Sequence, residues 1–144
     1  MFQQILLAWD GSDVALSAFD FAIDLTRRYD GDLVAVSIAY SPAHAETDAD
    51  RQESTDAAHR YLTSTFQGVQ DRAERAGVTV RHEIIEGDTP TKALVDYAHE
   101  HGFDLIVCGH HHSRRAGRLL LRGVTHDLLE ATSIPVLLIS KNEQ

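Results

Sequence analysis

The sequence predicts a doubly wound α/β domain: a single five-stranded parallel sheet, strand order 3-2-1-4-5, with helices on both faces. Three observations predict it. Short apolar runs recur along the chain, as expected of strands buried on both faces. Successive runs are separated by single helical stripes, which implies a parallel sheet with crossover helices. The 144 residues suit one domain, read here as 1–144, and a domain of about that size buries roughly 68–70% of its unfolded surface without a disulfide or metal.

The elements follow in order. Ile5-Leu6-Leu7-Ala8-Trp9 is the first strand, and Asp10-Gly11-Ser12-Asp13 then supplies a turn and a helix N-cap. Val14, Leu16, Phe19, Ala22, Ile23 and Leu25 keep helical spacing, which ends near Tyr29-Asp30-Gly31. Residues 33–40 form a second strand, rich in Val and Ile. From 41 to 56 the apolar residues are alanines and five positions are acidic (46, 48, 50, 53 and 56). That segment reads either as a mobile connection or as the exposed start of a helix. Ala58, Tyr61, Leu62, Phe66, Val69, Ala73 and Ala76 continue one helical stripe, stopped by Gly77. Residues 78–85 alternate as a strand. Thr89-Pro90 opens the next helix, with Pro suited to a first turn; Ala93, Leu94, Tyr97 and Ala98 form its stripe and Gly102 closes it. Residues 104–109 are another buried strand. A helix through Val124, Leu128, Leu129 and Ala131 leads to the last strand, 135–139.

Composition narrows the function classes. Thirteen Lys and Arg against 22 Asp and Glu give a net charge of -9, against the basic surface expected of a nucleic-acid binder. No apolar run approaches the ~18 residues of a membrane span. The start, Met1-Phe2-Gln3-Gln4, lacks the basic opening of a signal peptide. One cysteine, Cys108, rules out a disulfide framework within the chain and suits a reducing compartment. A cytoplasmic protein is expected, with no nucleic-acid or membrane partner.

In a doubly wound sheet, ligands bind beyond the carboxyl ends of the strands where strand order reverses. Here that is between strands one and four, at Asp10–Asp13 and the loop from His110. Between Asp104 and Asp127 the chain carries no acidic residue, yet holds Arg114, Arg115, Arg118 and Arg122 with His110, His111 and His112. A basic loop leading into a helix N-terminus suits an anion; a solvated rim that offsets acidic neighbours is the alternative. Three adjacent histidines do not converge easily on one metal, and no Cys-x-x-Cys or His-x-x-x-His spacing supports them, so no metal site is expected. His99 and His101 sit near a helix end, where a cation is favourable. Cys108, inside an apolar strand, reads as structural rather than reactive. Ser12 lacks a Gly-x-Ser-x-Gly elbow, and the Gly109 loop lacks the Gly-Lys-Ser/Thr of a Walker A motif, so no catalytic residue is assigned.

Together, Ile5-Leu6-Leu7-Ala8-Trp9-Asp10-Gly11-Ser12, Ile106-Val107-Cys108-Gly109, Arg118-Leu119-Leu120-Leu121, Val124-Thr125 and Ser133-Ile134-Pro135-Val136-Leu137-Leu138-Ile139 resemble the opening and closing segments of the universal stress protein family. The resemblance spans the chain in length and element order. It implies one of two groups, one binding ATP through Gly-x-x-Gly, nine residues, then Gly-Ser or Gly-Thr, the other lacking the pattern and the ATP. In the binding group a residue matched by Asp10 contacts ribose or phosphates and one matched by Ile38 packs on adenine, with Ala8, Trp9, Cys108 and Val124 beside them. With the register fixed on Gly109 and Val124, His112 stands at the second glycine, Arg122 at the third, and Gly123 at the hydroxyl position. A side chain at 112 blocks the close backbone approach that glycine allows. Arg122 either fills the phosphate space or holds a phosphate bidentately. Gly123 removes a hydroxyl ligand. Trp9 could stack on an adenine or occupy its pocket.

The expectation is therefore a non-enzymatic stress-response regulator that requires no cofactor, acting through partner proteins and without tight ATP binding in the family's usual mode. The alternative is an ATP- or AMP-binding switch with its phosphates at the basic loop 109–123; a small enzyme or metal protein using the histidine loop is a third. The flat, uncharged last strand, with Val136, Leu137, Leu138 and Ile139, is an edge that invites pairing, and the resemblance likewise implies a homodimer through it. The competing expectation is that the long second connection covers that edge.

Overall fold

The computed structural model describes residues 1–40, 47–110 and 124–140. Its five strands are β1 (Gln4–Ala8), β2 (Asp32–Tyr40), β3 (Val80–Gly87), β4 (Leu105–His110) and β5 (Val136–Ser140). All pairings are parallel, in the order β3-β2-β1-β4-β5. The chain is a doubly wound α/β protein with β1 at the centre and its switch point between β1 and β4.

Side-chain alternation along the strands builds two cores. Ile5, Leu7, Trp9, Leu33, Ala35 and Val107 face α1 (Asp13–Tyr29), α2 (Asp48–Gln67) and α3 (Gln70–Arg75). Leu6, Ala8, Val34, Val36, Ile106 and Cys108 face α4 (Pro90–Glu100) and α5 (Val124–Ala131). Strands buried on both faces cannot alternate apolar with polar residues, which is why they read as continuous apolar runs.

Helix ends follow their local chemistry. Ser12 caps α1, its Oγ accepting from the Ala15 amide at 3.2 Å. At the other end of α1, Asp30 takes the left-handed conformation (φ 51) and the Gly31 amide reaches back to the Thr26 carbonyl. Gly77 and Gly102, at φ 75 and 70, close α3 and α4 in the same way, with Val78 bonding Ala73 and Phe103 bonding Ala98.

The second connection departs from expectation. In place of one helix from about residue 58 there are two, broken at Gly68 and Val69, and the first begins at Asp48. Thr47 caps it, accepting from the Asp50 amide at 3.0 Å, and Asp48 and Asp50 complement the helix dipole in its first turn. The acidic stretch is thus, from residue 48, the exposed start of a helix; 41–46 lie outside the described residues. α2 packs on β2 and β3, at the sheet edge opposite β5, so the described part of this connection does not cover β5.

Candidate functional site

The carboxyl ends of β2, β1 and β4 lie side by side. Ala8 pairs in register with Val36, and Leu7 with Val107, so Ile38, Asp10 and Gly109 each follow within a few residues of a shared line. Beyond that line the chain turns sharply at Asp10. This carboxylate is buried, 3% exposed, and its Oδ1 accepts from both the Ser12 amide (2.9 Å) and the Ser12 hydroxyl (2.6 Å). Ser12 therefore caps α1 and fixes Asp10 with the same hydroxyl. Gly11 takes φ 82 between them, a left-handed conformation that glycine adopts without the steric cost a side chain would bring.

Gly109 is required by packing. A Cβ there would lie 2.8 and 2.9 Å from the two Val14 methyls, so its absence lets β4 end directly against the first turn of α1. Cys108 is fully buried, and burial pushes its thiol up to about 12. It remains a protonated core residue, unsuited to nucleophilic work. Ala8, Ile38 and Cys108 share the α4/α5 face of the sheet.

Trp9 faces the other way. Its ring packs with Phe19 and Phe66 at centroid distances of 6.0 and 6.1 Å, and its Nε1–H donates to Thr65 Oγ1 at 3.1 Å. The side chain is 3% exposed, so of the roles weighed for it, stacking on an adenine is removed: the ring belongs to the core.

Beneath Trp9 lies a polar chain. Ser37 Oγ donates to the Trp9 carbonyl at 2.7 Å and lies 2.8 Å from His82 Nε2. The serine's one proton being spent, the imidazole Nε2–H donates to it. His82 stacks on Phe66 at 4.4 Å, and burial pulls its pKa down to about 4, leaving it neutral at pH 7. Sequence reading missed Ser37, Thr65 and His82. A serine inside the apolar run 33–40 was the available signal; the residues it meets lie far along the chain.

Val124 opens α5. His112, Arg122 and Gly123 lie outside the described residues, as do Arg114, Arg115 and Arg118. His99 and His101 stand at the end of α4, where His101 Nδ1 lies 3.0 Å from the Tyr97 carbonyl. Among the described residues no three His, Cys, Asp or Glu side chains converge on a metal position, and no helix is long and apolar enough to cross a membrane. Chemically, the carboxyl end of the sheet sets a fixed carboxylate, Asp10, beside the N-terminus of α1.

This arrangement defines an open α/β sheet protein whose topological switch point lies between β1 and β4. Residues 1–140 match the universal stress protein family, and the chain belongs to that family. A Staphylococcus haemolyticus protein named for the same family is 30% identical, covering 99% of this chain and 87% of its own length. The universal stress protein UspA of Lactobacillus plantarum superposes with a TM-score of 0.82 at 25% identity, covering 96% of this chain and 97% of its own. A universal stress protein crystallised in complex with cAMP superposes at 0.69 with 28% identity, covering 96% of each chain.

Proposed function

We propose that the protein is a non-enzymatic regulator of the universal stress type, a single domain over 1–144 that acts as a cytoplasmic homodimer through protein partners and does not bind ATP tightly in the family's usual mode. One observation carries the reading. The chain belongs to the family along its length, yet holds His112, Arg122 and Gly123 where the ATP-binding pattern has glycine, glycine and a hydroxyl. Each change removes a phosphate contact or backbone access. The side chains best suited to chemistry are otherwise engaged: Cys108 is buried and protonated, and Ser12 holds Asp10 and caps α1.

A second reading has its own support. A relative 28% identical was crystallised with cAMP, a ligand with a single phosphate. Here Asp10 would accept from the ribose, the partly buried Ile38 would pack on the base above the core residues Ala8 and Cys108, and Gly109, Val124 and the basic loop would face the phosphate. Arg122 could hold one phosphate bidentately.

Calorimetric titration with magnesium ATP, AMP and cAMP tests both. The first reading expects no saturable heat from ATP at micromolar concentration, and micromolar ATP affinity overturns it. Micromolar AMP or cAMP binding with ATP silent establishes the second.

A further inference from the structure

The turn that carries Asp10 is gripped by α2, an element outside the motifs that define the candidate site. On one side of Asp10, the Trp9 indole N–H donates to Thr65 Oγ1 at 3.1 Å. Thr65 Oγ1 donates in turn to the Leu62 carbonyl at 3.0 Å, which fixes its rotamer on the helix. On the other side, Gly11 is so close to α2 that a Cβ there would stand 3.0 Å from Thr65 Cγ2 and 3.1 Å from the Tyr61 hydroxyl. Tyr61 and Thr65 are one helical turn apart and share a face. Thr65 thus bonds the side chain of the residue before Asp10 through its hydroxyl and sets its methyl against the space beside the residue after it. Between those two points Asp10 has little freedom, because Ser12 holds its Oδ1 twice and the Trp9 backbone is itself tied to Val36 and Ser37.

We infer that Thr65 is a positioning residue for the Asp10 turn, setting where that carboxylate stands toward an adenine nucleotide at the carboxyl end of the sheet. For its ligand the inference rests on the second reading above; the positioning is a property of the ligand-free turn. Threonine serves here because it offers an acceptor and a methyl group from one β-branched, stiff side chain. Valine keeps the shape and loses the acceptor. Serine keeps the acceptor and loses the methyl.

Amide hydrogen exchange followed by NMR tests the positioning directly. The Ser12 amide, which donates to Asp10 Oδ1, reports the turn, and the Leu6 amide in β1 reports the core. In Thr65→Val the Ser12 amide is expected to exchange at least tenfold faster, with Leu6 changed far less, and Thr65→Ser to return most of the protection. Equal acceleration of both amides would reduce Thr65 to an ordinary contributor to global stability and overturn the inference; so would an unchanged Ser12. Should Thr65→Val fail to fold, Thr65→Ala, which removes hydroxyl and methyl together, is set against Thr65→Ser, so that the two differ in the acceptor. Titration with cAMP, followed by emission of Trp9, the chain's one tryptophan, then separates the two readings. Affinity severalfold weaker in Thr65→Val supports the inference, and equal affinity in both proteins overturns it. A wild type that binds no cAMP refutes the ligand reading, and the exchange comparison still decides the positioning.

Discussion

A methyl group at position 109 would meet Val14 Cγ1 at 2.8 Å, well inside van der Waals contact. Gly109→Ala is therefore expected to destabilise the fold by about 1–3 kcal/mol, the usual range for overpacking a core. Urea unfolding measures it, and Val14→Ala in the same chain should recover part of the loss, since touching sites couple. His82 sets a pH dependence. Its folded pKa, about 4 because of burial, lies below the ordinary value near 6.5. Between those values the unfolded chain binds more protons than the folded one, so stability falls as pH drops from about 6.5 toward 4 and is level above. The urea midpoint should follow that course in the wild type and flatten over the same window in His82→Gln. The Asp10 turn was legible because Asp-Gly-Ser is a local signal. The Ser37–His82 contact was not: 45 positions separate the two residues, and alternation alone cannot say which cross-strand neighbour a polar side chain will meet.

At the scale of elements, the two sheet edges differ. β3 carries Arg81, Glu83 and Glu86 along its length, whereas β5 carries no charge and leaves Val136, Leu137 and Leu138 only partly buried. Charge on an edge strand discourages pairing, and its absence permits it. The dimer reading thus expects the wild type to sediment as a dimer and Leu137→Lys to shift it toward the monomer mass; a wild type that sediments only as a monomer contradicts that reading. Helix α2 shows what pattern misses. Its outer part is exposed and polar, with Leu62 and Phe66 its buried residues, so apolar spacing could not mark its start at Asp48. The cap at Thr47 could have: Thr47→Ala should cost about 1 kcal/mol of stability, read from the urea midpoint. The break at Gly68 and Val69 escaped notice because the stripe through Phe66, Val69 and Ala73 continues across it.

For the whole molecule, the fold was legible from the alternation of apolar runs and helical stripes. Five buried runs joined by crossover helices leave few parallel topologies, and the observed order β3-β2-β1-β4-β5 is the expected one. The candidate site was legible only in outline. Asp10 and Gly109 stand at the carboxyl ends of β1 and β4, where topology puts them, but Trp9 turned into the core and its indole N–H meets Thr65 on α2. The proposed function turns on three positions, His112, Arg122 and Gly123, at which the sequence departs from the ATP-binding pattern that the resemblance implies. The most direct measurement is a calorimetric titration with magnesium ATP, run in parallel on the wild type and on a His112→Gly, Arg122→Gly, Gly123→Ser variant. The account predicts no micromolar binding by the wild type and a clear gain in the variant. Micromolar ATP binding by the wild type would contradict it.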